Sequence, residues 1–270
     1  MIIQETPSSL ALPRLLCLHG GGTNAQIFHM QTRALRAQLQ PYFRLCFADA
    51  PFICQSPGPD VTAVYADCGP FRRWLRWLAV HPEIDTITIV NEVETAIEAA
   101  MAADDAQGAT GEWVGVLGFS QGAKLAGSLL LRQQSMAARG EKRKKGRLAT
   151  AKFRFAVLMA GRGPLVSLEP DRALLPGVQD AALSGMLGVS FEGSEKREHV
   201  LRLPTIHVHG MQDPGLGFHQ QLLEQYCEDS SARLVEWDGN HRLPIKKKDV
   251  AAVVGPILDV AKETGVLIDP

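Results

Sequence analysis

The sequence predicts an α/β protein: a mostly parallel sheet with helices on both faces. Two observations predict that architecture, and a third makes it one domain. Short apolar runs alternate with helix-compatible segments along the whole chain of 270 residues, the pattern that builds parallel sheets through crossover connections. The stretch Val114-Gly115-Val116-Leu117-Gly118-Phe119-Ser120-Gln121-Gly122-Ala123 reads as a buried strand, a tight turn and the start of a helix. Gly118 and Gly122 flank Ser120 there, because a Cβ at either position would crowd the turn and the neighbouring strands. No internal repeat or low-complexity linker interrupts residues 1–270, so one domain is expected, with cap or lid elements at 52–85 and 164–197.

Taken in order, residues 14–19 (Arg-Leu-Leu-Cys-Leu-His) read as the first buried strand, ending at Gly20-Gly21-Gly22. Thr23 or Asn24 caps a helix running to about Leu39, with Ile27, Met30, Leu35 and Leu39 on its apolar side, and Pro41 stops it. Residues 43–48 form a second strand, and the Pro- and Gly-rich residues 55–60 a loop. Residues 71–78 (Phe-Arg-Arg-Trp-Leu-Arg-Trp-Leu) have two readings: a surface helix with its apolar face on the core, or a piece of substrate-pocket wall, since loops at a sheet edge carry function. A helix follows over 89–103, then the strand 113–117 and a helix from Ser120 to about Ala138. Residues 141–147 (Glu-Lys-Arg-Lys-Lys-Gly-Arg) are a basic run, read as a solvated loop, with a docking patch for an acidic partner as the rival. Residues 153–159, 204–209 and 233–237 are the remaining strands. Residues 164–197 lack a clean period and read as a lid or cap. From residue 245 a final helix carries Val250, Val253, Val254, Ile257 and Val260 on one side.

With 46% hydrophobic and 21% charged residues, the chain can bury a sizeable core. A net charge of −1 and a pI near 6.7 give no electrostatic case for nucleic acid or an anionic membrane. Five cysteines are an odd number without paired spacing, and Cys17 and Cys46 sit inside apolar runs as small hydrophobes. A reducing compartment, the cytoplasm, is expected. Met1 to Leu12 lacks the basic and apolar regions of a signal peptide. No apolar run approaches the ~20 residues of a membrane helix.

A serine on a strand-to-helix turn is a poor nucleophile until a base takes its proton and an acid orients that base. On this architecture the order along the chain is serine, acid, histidine, each after a strand. Asp213, in Gly210-Met211-Gln212-Asp213-Pro214, supplies the acid. His241, beyond the Gly239-Asn240 turn, supplies the base. Asp213 also has a purely local reading, as a turn residue or helix cap. Asp238 is a rival acid, but lies too close in sequence to His241. His19 shapes the glycine loop, and His207 and His209 alternate on a strand, a structural placement. His29, His81, His199 and His219 have no acid in a matched position. No HExxH or CxxC spacing occurs, so no metal is expected. The glycine run fails the G-x-G-x-x-G spacing, so no dinucleotide cofactor is expected. It fits the loop after the first strand that donates a backbone N–H to an oxyanion.

Leu16 to Asn24 with its Gly20-Gly21-Gly22 run, Gly69-Pro70-Phe71-Arg72-Arg73-Trp74, Gly118-Phe119-Ser120-Gln121-Gly122-Ala123, His209-Gly210 with Asp213-Pro214, and Gly239-Asn240-His241 together resemble the fungal serine hydrolase family. That family has the α/β-hydrolase fold and includes the stand-alone thioesterases and esterases of polyketide gene clusters, the lovastatin-releasing enzyme among them. Acyl-protein thioesterases share the Gly-Phe-Ser-Gln-Gly segment. The resemblance implies Ser120 as nucleophile, His241 as general base and Asp213 as orienting acid, with the backbone N–H groups of Gln121 and Gly21 as the oxyanion hole. It implies no cofactor, a small-molecule acyl substrate, and the acyl carrier protein of a polyketide synthase as partner. Phe119, Trp74, Trp77, Phe28 and Leu216 are expected in the pocket, from their positions next to the catalytic loops. A carboxylesterase, an acyltransferase or cyclase, and a non-catalytic binding protein on the same scaffold are the alternatives.

Overall fold

The computed structural model describes residues 7–58, 61, 63–141, 146–183 and 198–268. A single-turn helix α1 (Pro7–Leu10) precedes strand β1 (Arg14–Leu18), helices α2 (Ala25–Gln31) and α3 (Arg33–Leu39) and strand β2 (Arg44–Ala48). Two short strands follow, β3 (Phe52–Cys54) and β4 (Phe71–Arg73), then α4 (Thr86–Ala106), β5 (Trp113–Phe119) and α5 (Gln121–Ala138). The chain ends with β6 (Phe155–Met159), β7 (Thr205–Gly210), α6 (Leu216–Tyr226), β8 (Ala232–Trp237) and α7 (Lys247–Glu263).

Six strands form one sheet in the order β2-β1-β5-β6-β7-β8, every neighbouring pair parallel. The order reverses between β1 and β5. In sheets of this kind ligands bind outside the carboxyl ends of the strands at such a point of reversal. Strand residues alternate between two cores. Leu16, Leu18, Val116, Ala156 and Leu158 pack with Val93 and Ile97 of α4, Leu129 of α5 and Leu222 of α6. Leu15, Cys17, Leu117, Phe155 and Val157 pack with Phe28 of α2, Leu35 and Leu39 of α3 and Ile257 of α7. Burying each leucine, valine, isoleucine or phenylalanine among them stabilises the fold by roughly 1.5–3 kcal/mol.

Three expectations change. The helix expected from residue 24 to Leu39 is two helices. Asn24 does cap the first, accepting from Ile27 N at 2.8 Å, but Thr32 breaks the run. Its hydroxyl donates to Phe28 O at 2.7 Å, the local side-chain bond that competes with helix continuation. Residues 71–78 are not a helix. Phe71–Arg73 is β4, antiparallel to β3, and the chain then turns across the end of the sheet. The described part of 164–197 is bound alongside α5 instead of hanging above Ser120: Val166 N donates to the Ser128 hydroxyl at 3.0 Å, and Asp180 accepts from Thr86 at the start of α4 at 2.5 Å. Ser128 is about 12 Å along the helix from Ser120 at 1.5 Å per residue. Residues 184–197 lie outside the described residues, as do Lys142, Arg143, Lys144 and Lys145 of the basic run. Arg147, at the end of that run, pairs with Asp105 at 2.8 Å.

Candidate active site

The local sequence at the end of β5 forces a turn. Ser120 has φ 53° and ψ −113°, a region that non-glycine residues enter only under strain. Its N–H donates to Met159 O at 2.8 Å, which fixes the turn to the end of β6. A Cβ on Gly118 would overlap the Gly122 carbonyl, and one on Gly122 would overlap the Leu18 and His19 carbonyls. Both glycines therefore let α5 start directly against β1. Ser120 is the N-cap of α5, so Gln121 N–H lies in the first turn, where a helix has no acceptor of its own, and the helix dipole favours negative charge there.

The loops after β7 and β8 form one wall of the site. They pack backbone to backbone: Met211 N donates to Trp237 O at 3.0 Å and Gln212 N to Gly239 O at 2.8 Å. This brings together residues 28 apart in sequence. His241 Nε2 lies 3.0 Å from Ser120 Oγ, and His241 Nδ1 lies 2.6 Å from Asp213 Oδ2. The other carboxylate oxygen of Asp213 accepts from Gly215 N at 2.7 Å. Burial pushes the Asp213 carboxyl up, but the Gly215 amide and the neighbouring His241 outweigh it and hold the group below the ordinary carboxylate range. Asp238, the rival acid, is turned outward and accepts from Gln212 at 2.6 Å. Phe119 is buried beneath, its ring centroid 5.1 Å from that of His241. His209 and His219 lie deeper, and burial pushes each down to about 4.

The glycine loop forms the other wall, and it is braced from below and above. His19 is fully buried; its Nε2 accepts from Ala50 N at 3.0 Å, so Nδ1 carries the proton and donates to Gly20 O at 2.7 Å. Burial pushes this histidine down to about 4, keeping it neutral. Strand β4 ties the far side, with Gly22 N donating to Arg72 O at 2.8 Å and Arg72 N to Thr23 O at 2.6 Å. The Gln121 side chain joins this wall to α5. Its carbonyl oxygen accepts from Trp74 N at 2.6 Å and Leu75 N at 3.1 Å, and its amide donates to Leu75 O at 3.0 Å. Gly21 lies under the Trp77 indole, so closely that a Cβ there would overlap the ring.

Sequence proximity misled at two pocket positions. Trp74 has no exposed surface; its Nε1–H donates to His19 O at 2.9 Å, making it a brace for the glycine loop. Phe28 is also fully buried and packs edge-on to Phe47 at 5.7 Å in the core beneath the sheet. Trp77 and Leu216 are half-buried, and Trp77 covers the glycine loop. Two side chains in the site carry contacts that the local sequence does not announce. One is the Gln121 side chain. The other is His219, 3.6 Å from Asp213 Oδ2. A polar residue at an otherwise apolar helical position was the available signal for His219.

The profile described as Serine hydrolase (FSH1) matches residues 9–253. The chain belongs to this serine hydrolase family. Among its relatives, this serine hydrolase is 56% identical to Esterase pigG of Monascus ruber over 96% of this chain and 95% of that one. It is 55% identical to Probable esterase tazC of Aspergillus terreus over 95% of each, and 49% identical to Esterase citA of Monascus ruber over 97% of each. The protein is thus a serine hydrolase of the esterase class. The crystal structure of Arabidopsis thaliana SOBER1 L63A superposes with a TM-score of 0.50 at 17% identity, covering 93% of this chain and 99% of that one. That likeness concerns the α/β-hydrolase fold alone. Among the described residues, no helix is long and apolar enough to cross a membrane.

Proposed function

We propose that this serine hydrolase releases a polyketide acyl chain from the phosphopantetheine arm of a carrier protein, through an acyl-enzyme on Ser120. His241 Nε2 takes the Ser120 proton as the oxygen attacks the thioester carbonyl, and Asp213 holds the imidazole in the productive tautomer and stabilises its positive form. The oxyanion forms at the start of α5, where the backbone N–H groups of Gln121 and Gly21 receive it. Each such donor contributes roughly 2.7–4 kcal/mol to the transition state. The thiol leaves, His241 activates a water, and the acid departs. The carrying observation is the unbroken hydrogen-bonded line from Ser120 Oγ through both nitrogens of His241 to Asp213 and the Gly215 amide. Trp77 and Leu216 border the acyl chain, while Phe119, expected in the pocket from its place beside Ser120, is buried and underlies the His241 ring.

Intact-protein mass spectrometry of an acyl-loaded carrier protein, with and without the enzyme, tests the substrate. Loss of the acyl mass is expected. A carrier that keeps its acyl group while small esters are hydrolysed would favour the second reading, a carboxylesterase, which the names of the relatives support. A cyclised product would indicate transfer to an internal nucleophile. A non-catalytic role is disfavoured by the complete serine–histidine–aspartate line.

A further inference from the structure

Three side chains from three separate segments converge behind the nucleophile. Asp213 after β7, His219 in α6 and His241 beyond β8 offer ligand atoms that all lie within 4.8 Å of one another. His219 Nε2 is 3.6 Å, and His241 Nδ1 2.6 Å, from the same carboxylate oxygen. The Asp213 and His219 side chains are closed to solvent, and His241, 14% exposed, is the open side of the cluster. His219 is completely buried, yet neither of its ring nitrogens makes a hydrogen bond. Beside it, at 5.6 Å between ring centroids, His209 Nδ1 is also without a partner. A buried polar atom left unpaired costs about 1–3 kcal/mol, so native structures rarely keep one without a use. Two imidazoles and a carboxylate form an N/O donor set suited to zinc. Tetrahedral zinc, with ligands at about 2.0–2.1 Å, needs only a small opening of the Asp213–His241 contact.

We propose that Asp213, His219 and His241 form an inhibitory site for Zn²⁺, one that switches the hydrolase off by taking its general base. The ion binds the His241 Nδ1 lone pair, which requires the Nδ1 proton to leave that atom. The neutral ring then carries its single proton on Nε2. That N–H donates to Ser120 Oγ instead of accepting from it, so the serine has no base. The site lacks a sequence signature because its ligands come from α6 and two loops, brought together only by the β7–β8 packing. The inhibition rests on the Ser120–His241–Asp213 reading above; the metal site itself does not.

The test uses the intact enzyme and two readouts that need no knowledge of the natural substrate. Zn²⁺ is expected to suppress labelling of Ser120 by a fluorophosphonate probe, and EDTA to restore it. His219→Phe is expected to raise the zinc concentration needed by at least about tenfold, a ligand mattering no less than an outer-shell partner, measured against that variant's own metal-free labelling. Direct binding is read with Co²⁺ on Ser120→Ala, where a tetrahedral visible band is expected and His219→Asn in the same background should abolish it. Zinc sensitivity unchanged in His219→Phe would overturn the proposal, and so would the absence of a Co²⁺ band in Ser120→Ala. Failure of the metal-free enzyme to react with the probe would count against the triad reading and leave the Co²⁺ band to decide the site.

Discussion

His19 and His219 stand on opposite walls of the site, and both are wholly buried and neutral, each pushed down to about 4 by burial. They are held in opposite ways. Both nitrogens of His19 are hydrogen-bonded to backbone atoms, to Ala50 N and Gly20 O, and the ring locks the glycine loop. Neither nitrogen of His219 has a hydrogen-bond partner. Burial alone therefore says little about what a histidine does. On the glycine-loop wall the side chains of His19, Trp74 and Gln121 all hydrogen-bond to backbone atoms, which holds the loop in place. The β7–β8 wall leaves capacity beside its carboxylate.

The two walls should respond differently to substitution. Ser120→Ala removes what they share and should lower kcat by about 10⁵–10⁶-fold with the fold intact, the scale seen when a hydrolase nucleophile is deleted; single-turnover kinetics and a thermal melt check both halves. Asp213→Asn acts on the β7–β8 wall alone and should cost about 10⁴-fold through the wrong imidazole tautomer, with little change in the KM for small esters. Acid should then erode stability in two stages. His19, His207, His209 and His219 have folded values near 3–4, below the ordinary histidine value of 6.5. Their contribution is complete above about 6.5 and is lost as pH falls towards 4, because the unfolded chain binds the protons first. Asp213, depressed among carboxylates, adds a loss at lower pH still. Unfolding temperatures that stayed flat from pH 7 to 4 would contradict the neutral buried histidines.

Smaller effects sharpen the contrast between the two rings. His19→Phe strands Ala50 N, at about 1–3 kcal/mol for a buried group left unpaired, and leaves Gly20 O only the Thr23 hydroxyl, so it should lower kcat by loosening the glycine loop. His219→Phe strands neither Gly215 N nor His241, so its stability at pH 7 should match or exceed the parent and should fall less steeply with acid; chemical denaturation at two pH values reads this. Asp238→Asn, on an exposed pair with Gln212, should change stability by no more than about 0.5 kcal/mol and leave kcat/KM unaltered.

Strands and the nucleophile turn were the legible parts. Parallel strands buried on both faces read as continuous apolar runs, and all six appear within two residues of their expected bounds. The serine, acid and histidine were readable because each follows a strand in a fixed order. Residues 71–78 were harder. Trp74 and Trp77 stand three apart, as on a helix face, but the segment's amides are taken by the Gln121 side chain, a long-range contact with no local trace. The β3–β4 hairpin has three-residue strands, too short to show a period. In α6, Leu216, His219, Leu222 and Tyr226 make a helical stripe, but the histidine at a core position masked it. Phe28 sits near the glycine loop in sequence, yet on the face of α2 that turns into the core.

The backbone angles of Ser120 carry one more consequence. Holding a residue with a side chain at φ 53° and ψ −113° costs roughly 1–3 kcal/mol, a cost that glycine would escape. Selection for a durable fold alone would put glycine there, and Ser120→Gly should unfold at a higher temperature than the active protein. The serine is thus a record of selection for reactivity over robustness, legible in two dihedral angles without reference to any substrate.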